Sequence, residues 1–302
     1  MTKILILGAN GFIGRKILSD LLSVGTYNLY ACSRTADIKP EKGYVFTQLD
    51  ITNDEELNSY LSLTTPDIII NAAAISSLQD CELNRSKSLN VNVDSVKLLI
   101  EYARQNSVFF IHLSTDFVFN GYRKKLYTEN DTPDPLNFYG HTKARAEELI
   151  VNSKIKAAVL RVEVVYGEPL EGQHGNIFTL VRDKLSKGEI IKVVDDQYRT
   201  PTFVDDVCIA VRLVIKKETE GIFHIAGPEY LSISDFAFRI ARYYGYNENN
   251  IQVTTTRAIG DNIERPRYSG LSIQKARKRL GYNPKTILKS LEILTSPENI
   301  RL

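Results

Sequence analysis

The stretch that most constrains this chain stands at its start. An apolar run, Lys3 to Leu7, ends at Gly8-Ala9-Asn10-Gly11-Phe12-Ile13-Gly14, after which Ile17, Leu18, Leu21 and Leu22 recur at helical spacing. Strand, glycine turn and helix follow in that order. Glycines let the backbone bend tightly and come close to a pyrophosphate, whose charge is favoured at a helix N-terminus by free N–H groups and the helix dipole. The spacing is Gly-x-x-Gly-x-x-Gly rather than the commoner Gly-x-Gly-x-x-Gly. Immediately after a strand and opening a helix, it reads as a dinucleotide site formed by Gly8, Asn10, Gly11, Phe12, Ile13 and Gly14; a purely structural turn is the competing reading.

The next strand ends repeat the theme. Asn28 to Ser33 reaches Ser33-Arg34, where an NAD-selective site often places a carboxylate. Ser33 and Arg34 can hold a 2′-phosphate instead, so NADPH is favoured, with NADH as the alternative and a solvated surface arginine as the bland reading. Tyr44 to Leu49 alternates into Asp50-Ile51, a strand end whose carboxylate can reach an adenine amino group, and Asn53 and Asp54 can cap a helix through Leu61. Pro66 to Asn71 reads as a buried parallel strand running into Ala72, Ala73 and Ala74. Small residues there leave room for a ribose and nicotinamide, or simply pack closely. Ser86 to Arg104 reads as one long helix, its apolar stripe interrupted by Asn92, a candidate cofactor-site residue that either ties backbone near the site or faces solvent. Val108 to Leu113 is a buried strand that delivers Ser114-Thr115-Asp116 to the edge where open α/β sheets bind ligands, and His112 within it reads as a packed strand residue.

A helix beginning near Tyr139 puts Tyr139 and Lys143 one turn apart on one face. A phenol beside an ammonium is a proton donor, because an opposite charge within roughly 4 to 6 Å lowers a tyrosine pKa of about 10. Tyr-x-x-x-Lys alone is more often a packed tyrosine with a solvated lysine. Thr115 stands 24 residues before Tyr139, and the intervening loop, with Asn120-Gly121, Pro133 and Pro135, is long enough to fold over a ligand. The Thr115 hydroxyl can then donate to the oxygen that Tyr139 protonates.

Composition narrows the partners. The 302 residues, 43% hydrophobic, suffice for one sizeable core or two domains sharing a cleft. A net charge of +2, from 38 basic and 36 acidic residues without a long basic run, argues against nucleic acid and a membrane surface. No run is long enough for a signal peptide or a membrane span, so the chain reads as cytoplasmic. Cys32, Cys81 and Cys208 are too scattered for a disulfide framework or a zinc site.

Glycine turn, Asn-Ala-Ala-Ala, Ser-Thr-Asp and Tyr-x-x-x-Lys on successive strand ends resemble the extended short-chain dehydrogenase/reductase family. Leu113-Ser114-Thr115-Asp116-Phe117-Val118-Phe119-Asn120-Gly121 resembles its dTDP-4-dehydrorhamnose reductase branch more narrowly. Val194-Asp195-Asp196-Gln197 with Thr200-Pro201-Thr202, and Arg265-Pro266 before Ser269-Gly270-Leu271, are also similar to that branch. The fold implied is α/β, a Rossmann-type doubly wound parallel sheet with a smaller C-terminal α/β substrate-binding part. The resemblance implies that Tyr139 donates the proton, Lys143 binds the nicotinamide ribose and lowers the Tyr139 pKa, and Thr115 orients the carbonyl. NADPH would deliver hydride to a nucleotide-linked 4-keto-6-deoxy sugar, with Asp116, Val118 and Asn176 on the substrate side, a plain helix cap being the competing reading of Asn176, no metal needed for the chemistry, and a homodimer expected. Epimerases, dehydratases and the regulatory subunit of methionine adenosyltransferase share parts of the pattern. This chain departs from the branch at Val164, where many members carry tryptophan, and at Arg199, where glycine is common.

A cation at Arg199 either meets a diphosphate or narrows the pocket, and Arg265 and Arg267, with Pro266 fixing the backbone, are further diphosphate candidates. The organisation expected is a cofactor domain over 1–167, completed by about 195–227, and a substrate domain over 168–194 and 228–302.

Overall fold

The computed structural model describes residues 1–260 and 262–296. The N-terminal half alternates strand and helix: β1 (Thr2–Leu7), α1 (Phe12–Val24), β2 (Tyr27–Ser33), β3 (Tyr44–Gln48), α2 (Asp54–Thr64) and β4 (Ile68–Asn71). After the short helices α3 (Leu78–Leu83) and α4 (Arg85–Leu89) come α5 (Ser95–Asn106), β5 (Phe109–Thr115), α6 (Phe138–Ser153) and β6 (Ala157–Val162). These strands and a later one, Gly221–Ile225, form a seven-stranded sheet in the order 221–225, β6, β5, β4, β1, β2, β3. Every pair in it is parallel. Strand order reverses beside β1, and ligands of open α/β sheets lie in the crevice at such a switch.

Alternation within each strand builds a core on each face. On β1, Ile4 and Ile6 join the core under α1 and the helix Val204–Lys217, whereas Leu5 and Leu7 join the one under α2 and α5. Both faces are covered, so the strands read as continuous apolar runs rather than alternating ones.

The helix expected from Ser86 to Arg104 is interrupted. Asn90–Asp94 is a π-turn between α4 and α5, and such bulges re-aim a side chain. Here Asn92 is turned inward: its amide accepts from the Ile75 N–H at 2.9 Å and donates to the Ile75 carbonyl at 3.0 Å and to Thr142 Oγ1 at 2.9 Å.

A third core holds the smaller part of the molecule. The helices Ile177–Leu185, Ile233–Tyr244 and Ile287–Leu294 pack with the parallel pair Ile191–Val194 and Ile251–Thr254 around Phe178, Phe236 and Ile240. The stretch after 228 does not stay there. Ile273, Ala276, Leu280 and Tyr282 belong to the first core, beside the 221–225 strand.

Candidate active site

The glycine turn is tight for a steric reason. Gly8 has φ +78°, and a Cβ on it would lie 2.7 Å from the Ala73 backbone, so the two strand ends touch only because both residues are small. A Cβ on Gly14 would lie 2.2 Å from the Gly8 carbonyl, which brings the first turn of α1 against the loop. Gly11 is the N-cap of α1, and Phe12 and Ile13 pack against the third and first cores. The Asn10 side chain, expected at the cofactor, instead shapes the following loop: it donates to Ala36 O at 2.7 Å and to Thr35 Oγ1 at 2.9 Å and accepts from Arg15 at 2.9 Å.

Beyond this turn lies a cleft of about 510 Å³ lined by Arg34, Asp50, Arg85, Lys87, Asn90 and Val91 among others. Arg34 is exposed at the end of β2, next to Ser33, and the Asp50 carboxylate accepts from the Thr52 N–H and hydroxyl at 3.0 and 2.8 Å. Ile51 is buried in the second core, so only its backbone faces the strand end. Ala72 and Ala73 are partly buried and Ala74 is exposed beside the crevice. The sequence pattern did not single out Arg85 and Lys87; they add two cations to the Arg34 side of this cleft.

The start of α6 is fixed by Asn137, whose side chain accepts from the Gly140 N–H at 2.9 Å and donates to the Glu264 carbonyl at 2.9 Å. Gly140 lies against the short turn Asp116–Val118, where a Cβ would come within 2.3 Å of the Phe117 carbonyl. That contact brings Tyr139 to the end of β5. Its ring meets Phe117 edge-on at 6.0 Å, and its hydroxyl faces Thr115. The Thr115 hydroxyl accepts from the Phe117 N–H at 3.2 Å and donates to Asp116 Oδ1 at 3.1 Å. Lys143, one turn on, is buried, with Nζ 2.8 Å from His112 Nε2. Thr115, Tyr139 and Lys143 are thus brought together where β5 ends on α6.

The electrostatics differ from the expectation in one respect. Burial and the neighbouring Asp116 push the Tyr139 hydroxyl above its ordinary range. Burial also brings Lys143 down to about 8, against the pull of Glu147, and its amine faces His112. The lowering expected from an adjacent ammonium is therefore absent from this state of the protein.

Behind the site the carboxylate of Glu147 takes a bidentate pair from Arg161, at 2.6 to 3.1 Å, and the Ser114 hydroxyl at 2.5 Å, all buried. Glu147 lies one turn beyond Lys143, a spacing visible in the sequence.

Several residues expected on the substrate side are committed elsewhere. Arg199 is buried, its guanidinium donating to the carbonyls of Tyr198 at 2.9 Å and Pro266 at 2.6 Å, with Nε 3.7 Å from both Asp116 and Glu163. It clasps the 266–267 backbone and presents nothing to a diphosphate. Asp116 is buried in the same clasp, Val118 is in the first core, and Asn176 caps its helix while donating to the Gly167 carbonyl at 2.8 Å. Asn92, as described above, spends its amide on Ile75 and Thr142 rather than on a cofactor. Val164 adopts φ +39°, strained for a β-branched residue, next to Glu163. Arg265 lines a second cleft of about 850 Å³ with Ser77, Gln79, Glu82, Phe117 and Asn262. Leu83 borders both clefts.

A seven-stranded parallel sheet with a glycine turn at its switch and a Thr, Tyr and Lys constellation on the neighbouring strand end defines an extended short-chain dehydrogenase/reductase. The family described as RmlD substrate binding domain matches residues 1–297, and the chain belongs to it. It is 32% identical to a dTDP-4-dehydrorhamnose reductase of Aggregatibacter actinomycetemcomitans over 97% of this chain and 98% of that protein. It is also 28% identical to methionine adenosyltransferase 2 subunit beta of Mus musculus, covering 94% of this chain and 84% of that one. Among solved structures, the dTDP-4-dehydrorhamnose reductase of Bacillus anthracis in complex with NADP superposes with a TM-score of 0.86 at 25% identity, covering 97% of this chain and 99% of that one. The reductase orthologue of Clostridium acetobutylicum gives 0.87 at 27% identity over the whole of both chains. UDP-glucose 4-epimerase of Thermotoga maritima, at 23% identity, a TM-score of 0.86 and 99% coverage of both chains, shares the fold. Among the described residues no helix is long and apolar enough to cross a membrane, and no group of three or more His, Cys, Asp or Glu is placed to hold a metal.

Proposed function

We propose that this protein is an NADPH-dependent reductase of a nucleotide-linked 4-keto-6-deoxy sugar, with dTDP-4-dehydrorhamnose as its substrate. The observation that carries the reading is the convergence of Thr115, Tyr139 and Lys143 beside a glycine turn too tight for any Cβ. That turn and the Arg34, Arg85 and Lys87 rim suit a dinucleotide carrying a 2′-phosphate. The cofactor, when bound, supplies hydride to the C4 carbonyl carbon. Tyr139 then gives its proton to the carbonyl oxygen, Thr115 orients that oxygen, and Lys143 holds the ribose and stabilises the tyrosinate left behind. The smaller part, built from 168–194 and segments after 228, supplies the sugar-nucleotide side, with Arg265 toward the diphosphate. The same reading puts the enzyme in the cytoplasm as a homodimer.

The test follows NADPH absorbance on addition of dTDP-4-keto-6-deoxymannose. Wild type should oxidise NADPH, and Tyr139→Phe should lower kcat by about 10²- to 10⁴-fold. No oxidation by wild type would sink the substrate assignment; equal rates would sink the acid role of Tyr139. Likeness to a methionine adenosyltransferase subunit favours a second, non-catalytic reading, in which the chain holds NADP and a partner enzyme. Stoichiometric capture of such an enzyme, with no reductase activity, is its signature.

A further inference from the structure

His112 lies on β5, three residues before Thr115, fully buried and with a nitrogen-bearing group at each ring nitrogen. Nδ1 is 3.3 Å from Asn71 Nδ2, and Nε2 is 2.8 Å from Lys143 Nζ. The Asn71 amide is oriented by its other end, where Oδ1 accepts the Ala73 N–H at 3.1 Å. Its NH₂ therefore donates to the ring, and Nδ1 is the acceptor. A neutral imidazole with Nδ1 as acceptor carries its proton on Nε2. Complete burial alone holds His112 below its ordinary pKa, which disfavours the doubly protonated form. The Nε2–H thus points at Lys143, and an ammonium has three donors and no lone pair to receive it. Only the free amine fits.

We propose that His112, oriented by Asn71, keeps Lys143 uncharged in the cofactor-free protein, and that Lys143 takes up a proton when a bound cofactor draws its amine away from the ring. The second half rests on the reductase reading; the first stands without it. The proton comes from solvent, and no other group changes charge. The charged and titratable groups around the pair are few. Glu147, one turn on, favours the ammonium, but its oxygens are already held by Arg161 and Ser114; Tyr139 lies one turn back, with Asp116 behind Thr115. A hydrogen bond donated to the amine adds to the lowering that burial causes, since it stabilises the neutral form. The consequence is a gate: Tyr139, already held high by burial and Asp116, has no ammonium beside it to lower its pKa until the cofactor arrives.

The chain has only four histidines, so the tautomer is directly readable by ¹⁵N-histidine NMR of the full chain without cofactor. Exposed His141 and His174 are replaced by glutamine to clear the spectrum. His224 is an internal contrast: its Nε2 is 3.2 Å from the Arg161 guanidinium, which can only donate, and its Nδ1 is 3.2 Å from the Tyr127 carbonyl, so it carries Nδ1–H. The expected spectrum holds one Nε2–H and one Nδ1–H histidine at about pH 8, assigned by loss of one signal in His112→Asn or, should that variant not fold, of the other in His224→Asn. Two Nδ1–H histidines, or an imidazolium at His112, would overturn the proposal. Calorimetric titration with NADP⁺ at about pH 8 in two buffers of different ionisation enthalpy should then show uptake of roughly half to one proton per cofactor. Binding without uptake would overturn the gate, whereas absence of binding would count against the reductase reading and leave the tautomer result to decide His112.

Discussion

Asp116 and Glu163 face each other across one hydroxyl: Ser269 Oγ stands 2.5 Å from Asp116 Oδ2 and 3.0 Å from Glu163 Oε1. One O–H can donate to only one of them, so the other carboxyl must itself be protonated and donate to Ser269. Charge balance agrees, since among the described residues Arg199 is the one cation paired with both. Burial, with Asp116 beside it, pushes Glu163 up to about 8. Glu163 comes from the end of β6 and Ser269 from a segment distant in sequence, so the shared proton joins the cofactor half to the 199 and 269 segments.

This pair predicts a pH dependence. A carboxyl raised from 4.5 to about 8 holds a proton in the folded state that the unfolded state has lost, so its contribution is fully present below about 4.5 and is lost as pH rises through 8. In that window the slope is at most about 1.4 kcal/mol per pH unit. Urea unfolding at several pH values should show wild type losing stability against Glu163→Gln as pH rises toward 8. Parallel curves would mean the pair holds no extra proton.

Arg34 sits on the rim of the first cleft with Arg85 and Lys87 near it. If it meets a 2′-phosphate, Arg34→Ala removes a charge-assisted hydrogen bond worth about 1.5–3 kcal/mol, hence roughly 10- to 100-fold in NADPH affinity. NADH, without that phosphate, should bind within about twofold of wild type, a change of less than about 0.5 kcal/mol. Fluorescence titration of both cofactors separates this from the plain surface charge that the sequence also allowed, for which the two affinities would move together.

The reach of the sequence follows from these contacts. The βα unit at Gly8, the strand ends at Ala72 and Ser114 and the Tyr139/Lys143 face were legible because each depends on residues within one or two turns of chain. Asn92 and Arg199 were legible only as polar groups needing partners. Their partners, Ile75 and the Pro266 backbone, are supplied by a π-turn and by a two-residue strand pairing antiparallel with Leu231–Ser232, neither of which has a local signature. Lys143 illustrates the same limit. Its helix face follows from the spacing to Tyr139, but the group that meets its amine lies 31 residues away on β5, and that group decides its charge.

Gly140 gives a steric prediction. In an exposed helix Gly→Ala is stabilising by about 0.5–1 kcal/mol, but here the new methyl would lie 2.3 Å from the Phe117 carbonyl and 2.8 Å from Pro135. Gly140→Ala should therefore destabilise by about 1–3 kcal/mol as α6 is pushed off the 116–118 turn. Because that shift moves Tyr139 relative to Thr115, kcat should fall by an order of magnitude or more, a misplacement of about 1 Å costing roughly 10²-fold. Cofactor affinity should change less, because the glycine turn is remote from the contact. A variant as stable and active as wild type would show that α6 can slide freely.

Asn92 tests what positions the catalytic helix. Its amide satisfies both backbone groups of Ile75, on the segment leaving β4, and reaches Thr142, the residue before Lys143. Replacing it with leucine keeps the volume but strands the Ile75 N–H, leaves the Ile75 carbonyl only the weak Cys81 thiol donor at 3.3 Å and frees Thr142, an unsatisfied group costing about 1–3 kcal/mol. Asn92→Leu should thus lose roughly 2–4 kcal/mol in urea unfolding. The cofactor role expected from sequence predicts something else, a weaker NADPH complex with stability unchanged. Measuring unfolding and NADPH affinity on the same variant separates the two: a large loss of stability with affinity held within a few-fold marks Asn92 as the tie between the Ala72–Ile75 strand end and α6, whereas unchanged stability with weakened binding would return it to the cofactor.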